Sequence, residues 1–336
     1  MRKLDEATIG EMLSREGYDL IKEIGAGGQA RVFMVHDRHL CQDVALKMYI
    51  GDEDDSRALL AHEYSFLRMH DHPHLPKVFD LRSVNWNGLS FIWFTMELCM
   101  GSLSSRLSEQ EVSRALATGS DITREMIKRV RSNPNPRLTA VRRYHVMELR
   151  QRILCIIEFL DVLSFIHMRE LAHRDLKPGN ILVSPQGHLK LADFGTARRV
   201  VPDHNASFIG TPEYIAPELW PSKDKDDEQP RMNRVINSLL ADEYSAGITI
   251  AQLLQRGDLP TSLRDLPELS HETAIQYVMA HRGGVFEPVQ IPECVQTPSF
   301  MNDVLQRMMS PKPDRRYGNI SRCVTELLTA VVKDDL

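Results

Sequence analysis

Apolar positions follow two rhythms along this chain, and together these predict its elements. From 56 to 70 they recur at helical spacing, which predicts a helix with Ser56 as N-cap after the acidic run Asp52, Glu53, Asp54 and Asp55. Ile153 to Met168 is the longest apolar stretch, but Glu158, Asp161 and His167 interrupt it. It predicts a buried amphipathic helix and not a membrane span. Shorter runs predict strands. Tyr18–Ile21 is one, Phe91–Met96 is another that runs into a polar, Gly-containing connection, and Ile181–Val183 with Leu189–Leu191 flank the turn Pro185-Gln186-Gly187. Ser108-Glu109-Gln110-Glu111 is a capping box, and a second helical segment, about 122–131, ends at Asn133-Pro134-Asn135-Pro136. Trp220 to Ile236 is polar and predicts a loop.

Composition narrows the class. The 336 residues are 42% hydrophobic and 26% charged, as in ordinary soluble globular proteins, and are enough for one large domain or two lobes. No apolar h-region follows Met1-Arg2-Lys3, so no membrane association is expected. Five cysteines in no CxxC spacing argue against a disulfide framework, and a cytoplasmic location is the default expectation. Charge is uneven. Residues 104–152 hold eleven Lys or Arg against five Asp or Glu, a net of +6 within a chain of net −5. Such an excess suits an acidic partner, a phosphorylated site or nucleic acid, but a solvated helix pair on the large lobe is the reading preferred here, and nucleic acid is not expected.

The chemistry concentrates in His173-Arg174-Asp175-Leu176-Lys177-Pro178-Gly179-Asn180, with Asp193-Phe194-Gly195 beginning thirteen residues after Asn180. Phosphoryl transfer needs metal held on the phosphates, a hydroxyl placed in line, and charge supplied where charge develops. This stretch offers a carboxylate (Asp175), a cation (Lys177) and two hard oxygen ligands (Asn180 and Asp193). The chain resembles the eukaryotic-type (Hanks-type) protein kinases, and Lys177 two residues after Asp175 is the serine/threonine form of their motif. The fold implied is α+β and two-lobed, with a small antiparallel-sheet lobe over about 17–96, a hinge over about 97–102 and a mainly helical lobe over about 103–332. Residues 1–16 would form an N-terminal extension, and 104–143 and 220–236 are insertions relative to a minimal kinase.

Further residues match the family's pattern in order. Ile24-Gly25-Ala26-Gly27-Gly28-Gln29-Ala30-Arg31-Val32 resembles the glycine-rich loop over the triphosphate, with Ala30 where the pattern wants a third Gly. Lys47 in Val44-Ala45-Leu46-Lys47 would contact the α- and β-phosphates and pair with Glu63. Met96 would be the gatekeeper, Glu97 and Cys99 would recognise adenine through their backbone, and Val32, Ala45 and Leu182 would sandwich it. Cys99 would react with covalent reagents only if exposed and partly ionised. Gly210 to Glu218 resembles the end of the activation segment, with Thr211 touching Asp175 and Lys177, and Glu218 pairing with Arg316, or with Arg315 as the weaker alternative. Asp242 would anchor the catalytic-loop backbone. The implied activity is transfer of the γ-phosphoryl group from ATP, with Mg2+ (or Mn2+ in its place), to serine or threonine of a protein substrate. A nucleotide-binding pseudokinase or scaffold is the alternative, and a small-molecule kinase a weaker one. Arg174 and Arg198 would grip a phosphate on Ser207, four residues before Thr211. His70, His72 and His74 alternate, but no Cys or fourth His lies nearby in sequence, so a turn is expected there and not a metal site.

Overall fold

A five-stranded antiparallel sheet organises the first hundred residues. The computed structural model describes residues 5–26, 30–50, 54–104, 148–199, 211–219, 231–255, 257, 259, 289–291, 294 and 296–333. Gly27, Gly28, Ser207, Gly210, residues 105–147 with the basic region's two expected helices, and 220–230 lie outside these. The strands are β1 (Tyr18–Ala26), β2 (Arg31–Asp37), β3 (Gln42–Ile50), β4 (Val78–Trp86) and β5 (Leu89–Met96), in spatial order β1-β2-β3-β5-β4.

Strand alternation divides the side chains of this sheet between two faces. Phe33, Val35, Val44, Leu46, Met48, Phe91 and Trp93 share one buried cluster with Ile9, Met12 and Leu13 of helix α1 (Glu6–Arg15). Helix α1 is capped by Asp5, whose carboxylate accepts the Thr8 amide at 3.0 Å. Arg38 ties the start of β1 to the end of α1 through Asp19 and Ser14, and Arg82 of β4 donates to the Glu16 carbonyl just after α1. The other face carries Ala45, Ile92, Phe94 and Met96 and packs on helix α2 (Asp54–Met69) and the large-lobe core.

Helix α2 begins two residues before the expected Ser56 cap, so Ser56 lies inside it. Carboxylates suit the first turn of a helix, where backbone N–H groups lack partners, so Asp54 and Asp55 extend it.

The large lobe is built on helix α3 (Leu149–His167), whose buried side chains include Ile153, Ile156, Phe159, Leu160 and Leu163. Two-residue strands β6 (Gly101–Ser102) and β7 (Leu171–Ala172) precede the hairpin β8 (Ile181–Val183) and β9 (Leu189–Leu191), and β10 (Arg198–Arg199) pairs with β7. Helix α4 (Arg231–Leu254) takes in residues 231–236, expected above as loop. Helices α5 (Ser299–Met308) and α6 (Ile320–Lys333) complete the described lobe. Among the described residues no helix is long and apolar enough to cross a membrane.

Candidate active site

Register places one wall of the site. Val32 pairs with Lys47, Ala45 with Met96, and Lys47 with Phe94, so Val32, Ala45, Lys47 and Met96 all project from the same sheet face. Ala45 and Met96 are buried, while Ile24 and Val32 are half-buried. Gly25 pairs with Val32 and Ala26 is exposed at the end of β1, where the strand leaves the sheet toward residues 27–29. Leu182 pairs with Ser102 across β6 and β8 and is half-buried.

Lys47 joins the two lobes. Its Nζ donates to Glu63 Oε2 at 2.6 Å and to Asp193 Oδ1 at 3.0 Å. Burial opposes charge on the Lys47 ammonium, but the two carboxylates outweigh it and hold its pKa above the ordinary lysine value. Burial acts on Asp193 in the opposite sense, yet Lys47, with His173 and Lys177, keeps that carboxyl below its usual range. Burial raises the Glu63 carboxyl, opposed by Lys47 and by the nearby Phe194 backbone N–H, and the Phe66 and Phe194 rings stack with centroids 4.3 Å apart. Asp193 itself adopts φ 66°, a left-handed conformation unusual for a residue with a side chain.

Asp175 is held from several sides. Lys177 Nζ lies 2.8 Å from its Oδ2, Thr211 Oγ1 donates to its Oδ1 at 3.1 Å, and Asn180 Nδ2 donates to its Oδ2 at 3.0 Å. Lys177 Nζ also donates to Thr211 Oγ1 at 2.7 Å. Asn180 spends its amide N–H on Asp175, which leaves its amide oxygen for a hard cation, and the Ala192 N–H donating to the Asn180 carbonyl at 2.9 Å brings the Asp193 loop alongside. Behind the loop, Asp242 Oδ2 accepts the His173 N–H at 2.6 Å and Oδ1 accepts the Arg174 N–H at 2.8 Å. Arg174 has φ 70°, so this buried carboxylate braces a strained turn.

The protein kinase domain family matches residues 18–330. The chain belongs to the protein kinase family. Relatives include the serine/threonine-protein kinase TAO1-B of Xenopus laevis, 27% identical over 75% of this chain and 21% of its own length. CBL-interacting serine/threonine-protein kinase 19 of Arabidopsis thaliana is 27% identical over 94% of this chain and 54% of its own. The human cAMP-dependent protein kinase catalytic subunit PRKX is 30% identical over 62% and 49% respectively. This chain therefore spans between about a fifth and about half of the relatives it matches.

Within this kinase domain the Glu218–Arg316 pair is bidentate, at 2.6 and 2.8 Å, and Arg316 is the partner in preference to Arg315. Cys99 is buried and burial pushes its thiol up to about 12, so neither condition for reaction with a covalent reagent is met. Sequence order missed three features of the kinase site. The Glu97 side chain turns away from the cleft to meet Lys190 Nζ at 2.9 Å, and Lys190 also donates to the Pro73 and Leu75 carbonyls. A lysine centred in the apolar strand Leu189–Leu191 was the available signal, because a buried ammonium demands partners. The fold also brings His188 within 6.2 Å of His74, supplying the fourth histidine that the local sequence lacks. The histidines nonetheless take protein partners: His72 meets Asp161 at 3.3 Å, His74 the Leu189 carbonyl at 2.9 Å, and His188 Glu158 at 2.6 Å. Third, His62 reaches the Ala197 carbonyl at 2.9 Å, across 135 positions of sequence.

Proposed function

We propose that this kinase domain transfers the γ-phosphoryl group of ATP, with Mg2+, to serine or threonine hydroxyls of protein substrates in the cytoplasm. The observation that carries the reading is the convergence of Lys177 and Thr211 on the Asp175 carboxylate, at 2.8 and 3.1 Å. A carboxylate so placed accepts or orients the proton of an incoming hydroxyl. Lys177 offers a cation to the transferred phosphate, and the compact Thr211 hydroxyl beside it suits an aliphatic alcohol. Two of the relatives cited, TAO1-B and CBL-interacting kinase 19, are named serine/threonine-protein kinases, which favours the same substrate class.

The residues present fit both nucleotide and metal. The Asn180 amide oxygen and the Asp193 carboxylate form a hard donor set of the kind Mg2+ takes. Val32, Ala45, Met96 and Leu182 would hold the adenine, with the backbone of Glu97 and Cys99 along its edge, and Lys47 would hold the α- and β-phosphates, fixed by Glu63. Residues Ile24 to Gly28 would cover the triphosphate. When bound, Mg2+ neutralises charge on the phosphates. The chain's own work is then to place the alcohol, take its proton at Asp175 and keep Lys47 at a fixed point. For regulation we retain Ser207 as the candidate phosphate acceptor, with Arg174 as its grip.

Asp175→Asn tests the reading. Expected are nucleotide affinity within about twofold of the unaltered protein and a fall in single-turnover rate of about 10²–10⁴-fold. Phosphoamino-acid analysis of the product should give phosphoserine or phosphothreonine. Near-normal turnover in the variant would remove Asp175 from the mechanism, and phosphotyrosine as the main product would overturn the substrate class.

A further inference from the structure

We infer that His62 is a positioning residue, a latch that keeps helix α2 rotated so that Glu63 faces Lys47. The inference rests on the kinase reading above and adds a residue to it. A carbonyl oxygen can only accept, so the contact of 2.9 Å between His62 Nε2 and the Ala197 carbonyl requires a proton on Nε2. Successive residues of a helix stand 100° apart, so a side chain next to Glu63 points along a different direction, here toward the segment after Gly195. Ala197 is a firm anchor. It is buried, its N–H donates to the Phe194 carbonyl at 3.1 Å, and Thr196 Oγ1 beside it donates to the His173 carbonyl at 3.1 Å. The next residue, Arg198, pairs with Ala172 of β7.

Helix α2 therefore grips the Asp193–Ala197 segment at three points: Phe66 on Phe194, Glu63 beside the Phe194 N–H, and His62 on the Ala197 carbonyl. The first two lie on the buried side of the helix. His62 is exposed, and its hydrogen bond is the grip farthest from the core. Rotation of α2 about its axis would break this bond and withdraw Glu63 from Lys47 together. The latch thus reports whether the start of the activation segment is seated, and passes that state to the Lys47 ammonium through one peptide bond.

Three variants of the full chain test this. Gln carries its side-chain N–H as many bonds from the backbone as His Nε2, whereas Asn is one bond short and Ala has no donor. His62→Ala and His62→Asn should lower kcat about five- to tenfold, with KM for ATP and Tm essentially unchanged, and His62→Gln should restore kcat. Amide hydrogen exchange should quicken in residues 57–69 and 193–199 of His62→Ala and return toward normal in His62→Gln. Unchanged kcat and exchange in His62→Ala would overturn the latch. So would loss of kcat in step with a fall in Tm that Gln does not rescue, which would mark a merely structural residue. Should the unaltered protein transfer no phosphoryl group at all, the proposed function falls, while the exchange pattern still decides the latch.

Discussion

Two ion pairs in this molecule have the same shortest contact and opposite characters. Lys47 meets Glu63 at 2.6 Å in the cleft, and Arg316 meets Glu218 at 2.6 Å in the base of the large lobe. Arg316 donates four hydrogen bonds to protein. Its Nη1 and Nη2 take both oxygens of Glu218, Nη1 also donates to the Leu240 carbonyl, Nε donates to the Ser310 carbonyl, and the guanidinium lies 5.0 Å from the Tyr244 ring centroid. Its side chain is 0% exposed. Lys47 is shared between two carboxylates, one of which, Asp193, still exposes 46% of its side chain. A cation bonded to protein on three nitrogens and closed off from solvent holds structure together. A cation with one of its two carboxylates still open to solvent keeps capacity for something that arrives later.

The sharpest way to break this comparison is Lys47→Met. We expect transfer to fall by about a hundredfold or more, because a positioned charge at the phosphates is lost. The folded protein should persist, with a new pH dependence. Burial already raises the Glu63 carboxyl, and without the lysine its folded pKa stands further above the unfolded value. The folded state then binds the extra proton, so the variant is most stable below the unfolded pKa of Glu and loses stability as pH rises through the folded pKa. Urea titrations from pH 4 to 8 on both proteins read this. A variant with the same slope as the parent would refute it.

Arg316→Leu should do the reverse. Removing one partner of a buried, hydrogen-bonded pair costs about 3–5 kcal/mol, which denaturant unfolding measures directly. The remaining folded molecules should transfer phosphoryl at a rate within about twofold of the parent. Loss of kcat beyond the loss of folded protein would mean that the pair serves the chemistry and not only the frame.

A smaller effect separates the histidines from both pairs. Burial, the neighbouring His74 and Arg169 lower the pKa of His72 despite Asp161 beside it. A histidine with a depressed folded pKa takes up its proton more readily when unfolded, so stability should decline as pH falls through the ordinary histidine range. Phe165 packs against His72, while His188 and Glu158 reach it through His74. His72→Asn should flatten the slope of unfolding free energy between pH 7 and 5.5, and an unchanged slope would shift the cause to the other histidines.

What could be read from the chain depended on how far apart the partners lie. The loop from His173 to Asn180 closes on itself, so Asp175, Lys177 and Asn180 are placed by a few peptide bonds and their spacing is informative. Lys47, Glu63, Thr211, Glu218, Arg316 and Asp242 were legible only through the order of motifs, and the structure brings each to its expected partner. Nothing local marks His62 for Ala197, or His188 for His74, because those contacts exist only once the two lobes and the hairpin have packed. The start of α2 was misplaced for a different reason. A serine after four acids looks like a cap, yet the acids themselves are favourable inside a first turn.

Helix α1 has a practical consequence. The family match begins at residue 18, after the helix has ended. A fragment cut there would keep every motif and lose the cover of Phe33, Leu46, Met48, Phe91 and Trp93. Such a fragment would present a broad oily sheet face to water, and its fate in concentrated solution would be self-association before any question of catalysis arose.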